Sequence, residues 1–273
     1  MKKLIPLICI LIALGTGCEQ NSYAPNGLVI GDGPQTGSTR LFDEAVANIT
    51  QTFTFPSNSG TVCQDSDKGV EICLNTDCFL LNGSPIPSGD IELEYVEIFD
   101  KGTMVITNKT TTDAGTGEML RSGGEFYLQA FFNGSQLSLS SGCDWSGFLN
   151  IDPDLTGGFD WNMDVWTGTI DNNDNLNWDP VETVDIEMGN DTLTAVNFQG
   201  DFGGNYLLPF ISGWVNCDIF WNWGDPQTTV SVNVPAQYDQ TNSEVFILFN
   251  GESNGAAYFP WDAFSCACFQ SYD

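Results

Sequence analysis

From Leu41 onward, apolar residues come in short runs, rich in β-branched and aromatic side chains and broken by Gly, Asn, Asp and Pro. In Ile91-Glu92-Leu93-Glu94-Tyr95-Val96-Glu97-Ile98 the apolar residues hold the odd positions until Val96. A period of two predicts a strand with one face on a core and the other toward water. The runs Gly102 to Thr107, Glu125 to Phe132 and Gln136 to Leu139 also read as strands. Asn133-Gly134 between two of them is a two-residue hairpin signal, because both residues tolerate positive φ. Further along, Leu193 to Phe198, Thr228 to Val234 and Ser243 to Phe249 look stranded. Thr61-Val62-Cys63 and Val70-Glu71-Ile72-Cys73 flank a polar turn, and a hairpin there would set Cys63 opposite Cys73, although spacing alone does not fix connectivity. Helical periodicity is weak and confined to Asp43 to Ile49. Short strands at such intervals predict an all-β protein of the β-sandwich kind.

The N-terminus follows a different pattern. Met1-Lys2-Lys3 precedes an apolar stretch from Leu4 to Leu14. It is too short to span a bilayer, which takes ~20 apolar residues, and it reads as a signal peptide. The stretch ends in Leu14-Gly15-Thr16-Gly17-Cys18, small residues leading to a cysteine, and resembles a bacterial lipobox with Gly15 where Leu is commonest. Residues 1–17 are therefore expected to be a lipoprotein signal peptide and Cys18 the lipid acceptor, with acyl chains holding the protein at a membrane. Residues 18–40 are rich in Gly, Pro, Ser and Asn and read as a flexible tether. All 8 tryptophans lie beyond Ser140. That break predicts two β-sandwich-like modules, 41–140 and a Trp-rich 141–273.

Charge narrows the partners. The chain carries 36 acidic and 7 basic residues, a net charge of −29, and two of the lysines sit in the leader. Nucleic acid is excluded as a partner, since a surface of this sign repels phosphate. Charged residues are still only 16% against 41% hydrophobic, which leaves ample material for a core. The chain has no histidine, so Ser-His-Asp triads, Cys-His dyads and imidazole zinc sites are ruled out. Export makes disulfides the expected state of Cys63, Cys73, Cys78, Cys143, Cys217, Cys266 and Cys268; seven is odd, so one thiol at least should lack an intramolecular mate.

Several stretches together resemble a family. Glu97-Ile98 through Lys101-Gly102-Thr103-Met104-Val105-Ile106-Thr107-Asn108, with Thr110-Thr111-Thr112, then Ser122-Gly123-Gly124-Glu125-Phe126, and later Gly213-Trp214-Val215-Asn216-Cys217-Asp218-Ile219-Phe220, are similar to motifs of uncharacterised surface lipoproteins of Bacteroidota. The first module further resembles the β-sandwich with which ankyrins and netrin receptors make protein contacts. The resemblance implies a sandwich fold and a place in the outer membrane of a Gram-negative envelope. It implies interaction rather than catalysis only by analogy.

Two groups of residues suggest ligands. In Asp171-Asn172-Asn173-Asp174-Asn175-Leu176-Asn177-Trp178-Asp179-Pro180-Val181-Glu182 the oxygen ligands Asp171, Asn173, Asn175, Asp179 and Glu182 have the spacing of a calcium loop, with Leu176 in place of its sharp-turn glycine. Calcium is the one cofactor the sequence raises, against the plainer reading of a polar turn. Trp214, Trp221 and Trp223 with Asp218, Asn222 and Asp225 form the densest aromatic and polar cluster. Exposed indole faces there would stack on sugar rings, whereas buried ones would serve packing. No catalytic residues are indicated. The expected function is a lipid-anchored, non-enzymatic envelope module that binds a protein or glycan or serves structurally. The alternative is a hydrolase using a carboxylate pair on a surface polysaccharide, which requires a cleft with two facing acids, one of raised pKa.

Overall fold

The computed structural model describes residues 8–13, 37–141, 143, 147–151, 153–156, 163–171, 175–181, 186–188, 191–193, 196–198, 204–208, 212–220, 231–239, 241–248, 254–259, 261–262 and 268–270. Its main elements are β1 (Ile8–Ala13), α1 (Gly37–Ile49), β2 (Gln51–Pro56), β3 (Thr61–Asp65), β4 (Glu71–Asn75), β5 (Asp90–Ile98), α2 (Lys101–Thr107) and β6 (Leu120–Phe132). They continue as β7 (Gly147–Ile151), β8 (Asp164–Ile170), β9 (Leu176–Pro180), β10 (Val196–Phe198), β11 (Gly204–Leu208), β12 (Ser212–Phe220), β13 (Ser243–Leu248) and β14 (Ala256–Tyr258). The fold is mostly antiparallel β-sheet, as the alternating pattern predicts.

A wide sheet runs β9-β8-β12-β6-β5-β2, and a second runs β10-β11-β7-β4-β3. Their facing side chains form one core. Phe55, Leu93, Tyr95, Phe126, Leu128, Val165 and Val215 from the wide sheet pack with Ile72, Leu74 and Leu149 from the second. The other face of the wide sheet is covered as well. There Val96, Ile98, Tyr127, Trp166, Trp178 and Trp214 pack with Phe42 and Val46 of α1, Met104 and Val105 of α2, and Phe246 and Leu248 of β13. Val96 breaks the odd-position pattern of β5 for this reason: its side chain faces a second core rather than water.

Strands from both sides of Ser140 share each sheet, where the tryptophan break predicts modules 41–140 and 141–273. In the wide sheet β6 bonds β12, and in the second β4 bonds β7. Backbone pairing joins the halves at these two strand pairs.

Local signals fare unevenly. Asn133 (φ 51°) and Gly134 (φ 75°) form the two-residue turn, with Phe132 opposite Ser135. Cys63 and Cys73 face each other across β3 and β4 and are disulfide-bonded, with Cα atoms 4.0 Å apart. A second disulfide joins Cys78 and Cys143. The run Gly102 to Thr107, expected as a strand, is the helix α2. Asp100 caps it by accepting from the Thr103 N–H at 2.9 Å, and Asn108 ends it in the left-handed region. Those two caps satisfy orphan backbone groups that a strand reading ignores. The helical signal at Asp43 to Ile49 belongs to the longer α1.

The apolar leader stretch contains β1, which lies antiparallel to β13 from Ile8↔Leu248 to Ala13↔Ser243. Among the described residues no helix is long and apolar enough to cross a membrane.

Candidate functional site: a buried polar cluster at a β-bulge

The site begins with two glycines. Between β6 and β12 the register shifts, Glu125 facing Asn216 while Ser122 faces Asp218. Three residue steps on β6 thus oppose two on β12, a bulge that inserts one extra residue at Gly123-Gly124. Gly124 has φ +125°, and a Cβ there would stand 2.7 Å from Phe99 Cε1, so only glycine suits the position. The bulge reverses the facing of the strand, and Ser122 and Glu125 come out on one face. That face is the one holding Tyr127 and Trp214.

Four polar side chains converge there. The Ser122 hydroxyl donates to Asn216 Oδ1 at 2.8 Å, and Asn216 Nδ2 donates to Asp218 Oδ2 at 2.6 Å. Ser122 Oγ also accepts from the Gly124 N–H at 2.9 Å. Glu125 lies beside them, yet neither of its carboxyl oxygens has a hydrogen-bond partner, and Asp218 Oδ1 has none either. Glu125 and Asp218 are each 0% exposed.

Such burial disfavours charge. Desolvation pushes the Glu125 carboxyl well above the usual range, with Asp218 adding repulsion and Lys109 pulling the other way. Asp218 is likewise raised well above its ordinary value by desolvation, opposed by hydrogen bonds from Ser122 and the Gly123 backbone. Lys109 reaches this region from the segment that leaves α2, whose backbone is tied down where the Lys109 N–H donates to Met104 O. Lys109 is 5% exposed, and its Nζ sits 5.9 Å from the centre of the Trp214 ring. The contrast with Glu97 is instructive. That buried carboxylate accepts from Ser66 Oγ, the Lys68 N–H, Gln51 Nε2 and Tyr95 Oη, and so is satisfied.

The residues anticipated from sequence are distributed as follows. Trp214 is buried, 5.5 Å from Tyr127 between ring centroids, and Asp218 belongs to the cluster just described. Trp221, Asn222, Trp223 and Asp225 lie outside the described residues, as does Cys18. In the proposed calcium loop, Asp171 and Asn175 close the β8-β9 hairpin on each other: Asp171 accepts from the Asn175 N–H at 3.0 Å and from its Nδ2 at 3.3 Å. Asn175 also bonds Asn108. Asp179 is four residues further along β9, exposed and paired with Thr167. Asn173 and Glu182 lie outside the described residues. The one metal-like grouping among the described residues is Cys63, Glu71 and Cys73, whose cysteines are already joined to each other.

Lys109, Glu125 and Asn216 were not singled out from sequence. A buried charge leaves no trace in a single chain, because its local pattern is that of any strand or turn. One signal was present: all three lie in or beside the stretches Lys101 to Thr112, Ser122 to Phe126 and Gly213 to Phe220, which the fold brings to one place. Comparison with family models, curated proteins and solved structures finds no match to this chain.

Proposed function

We propose that this is a lipid-anchored cell-envelope protein, akin to the Bacteroidota surface lipoproteins its motifs resemble, held at a Gram-negative outer membrane through Cys18. It acts there as a non-enzymatic module that contacts a protein or glycan partner or serves structurally. The observation that supports the non-enzymatic half is the complete burial of Glu125 and Asp218, the one pair of facing acids described above. Carboxylate-based glycoside hydrolysis needs both acids on the scissile bond, and a pair sealed between a sheet and its covering elements offers a polymer no approach. The rings of Trp166, Trp178 and Trp214 are buried and give no stacking face to a sugar, which favours a protein partner or a structural role over a glycan at these residues.

The anchor and the activity are tested together on the full chain in a Gram-negative host. Fatty-acid labelling should mark the wild type, place it in the membrane fraction, and be lost in Cys18→Ser. Incubation with a panel of envelope and plant polysaccharides should give retention without new reducing ends, or no retention at all. An unlabelled wild type would overturn the anchor, and turnover abolished by any single Asp or Glu substitution would overturn the module.

A further inference from the structure

We propose that Lys109 and Asn216 form an intramolecular isopeptide bond, made by the protein itself and assisted by Glu125 and Asp218. The starting point is an unexplained arrangement: a buried amine and a buried side-chain amide flank two buried carboxyls, one of which has no hydrogen bond at all. Unsatisfied buried polar groups call for a specific cause. A reaction site is such a cause, because the groups that move protons during bond formation are left without fixed partners.

The placement suits the chemistry. Asn216 is the direct cross-strand partner of Glu125, so their side chains share one face. Trp214, over which Lys109 Nζ lies, is two residues earlier on the same strand and therefore also on that face. Lys109 is near enough to lower the proton affinity of Glu125. The amide itself is prepared for attack. Ser122 donates to its oxygen, drawing electrons from Cγ, and its nitrogen lies 2.6 Å from Asp218 Oδ2. Tyr127, Trp166 and Trp214 exclude water, which would otherwise compete by hydrolysing the amide.

The step balances without oxidant or cofactor. The neutral amine of Lys109 attacks Asn216 Cγ and a C–N bond forms. Glu125, the carboxyl whose proton burial favours, gives that proton to the departing Nδ2 and takes up the one shed by Nζ, while Asp218 holds the amide by accepting from Nδ2, and the Cγ–Nδ2 bond breaks. Ammonia leaves, and both carboxyls end as they began. A low-dielectric interior favours the protonated acid that this requires. The bond would tie the segment after α2 to β12 of the wide sheet, two stretches that only the tertiary fold brings together.

Peptide mapping by mass spectrometry of the full-length protein, purified in detergent, tests this directly. The expected product is one cross-linked species holding the Lys109 and Asn216 peptides, lighter than their sum by the ~17 Da of ammonia. Both peptides recovered unlinked and unmodified would overturn the proposal. A link lighter by ~18 Da, the mass of water, would place the acceptor on Asp218 or Glu125 and overturn the assignment to Asn216. Lys109→Arg should abolish the link while keeping the charge. Glu125→Gln retains both reactants and should leave them unlinked; a complete link in Glu125→Gln would overturn the role given to Glu125. The wild-type map stands whether or not either variant folds.

Discussion

At the residue scale, the unusual feature is how many acids of this strongly acidic chain lie indoors. Glu94 on β5 is 3% exposed because α1 and its neighbours cover that face, and burial with help from Glu92 raises its carboxyl to about 7. The folded form therefore holds its proton more tightly than the unfolded chain does. By linkage, its contribution to stability is present in full below the unfolded value near 4.5 and is lost as pH rises through about 7. Thermal unfolding followed across that interval should show a falling Tm. Glu94→Gln should flatten the fall and gain stability relative to wild type at pH 8. An unchanged slope in that variant would remove Glu94 as a cause of the fall. Glu125 and Asp218, raised by the same cause, push in the same direction, so the comparison between variant and wild type is what isolates Glu94.

At the scale of elements, local chemistry decides more than average propensity does. The run Gly102 to Thr107 is β-branched enough to look like a strand, yet the Asp100 cap and the Asn108 terminator make it a helix. The caps were in the sequence all along, but they outweigh propensity only because Met104 and Val105 have a sheet to pack on. The β3-β4 hairpin illustrates the opposite case, where two strand-like runs around a polar turn point to the hairpin and the structure sets Cys63 against Cys73 within it. The two disulfides should differ in worth. Cys63–Cys73 spans 10 residues and Cys78–Cys143 spans 65. Loop-closure entropy gives about 3 kcal/mol for the shorter and about 4 kcal/mol for the longer. Denaturant unfolding of the paired serine variants should show the larger loss for Cys78→Ser with Cys143→Ser, and a reversed order would mean that native-state packing outweighs chain entropy.

On the scale of the whole molecule, the wide sheet is joined across Ser140 by one strand pair, β6 with β12. β2, β5 and β6 come from before Ser140, whereas β8, β9 and β12 come from after it. A fragment of residues 41–140 would expose the β12-facing edge of β6 and strip Leu149, Val165 and Val215 from one core and Trp166, Trp178, Trp214 and Phe246 from the other. It should lack near-ultraviolet dichroism and aggregate, while the full chain unfolds in a single transition. A soluble fragment with native-like dichroism would support the two-module division. The Trp-rich half owes its composition to the same architecture, since Trp166, Trp178 and Trp214 fill the space between the wide sheet and the elements covering it.

What the sequence determined by itself was what short-range rules govern: strand alternation, the Asn133-Gly134 turn, the β3-β4 hairpin and the all-β class. Each depends on residues within a few positions of one another, where side-chain period and backbone preference act directly. Only the tertiary structure decided which strands are neighbours, that the wide sheet is buried on both faces, and that Lys109, Glu125, Asn216 and Asp218 meet. Those outcomes rest on pairings across 100 residues or so, whose energies come from burial and desolvation, and neither quantity exists until the chain is folded.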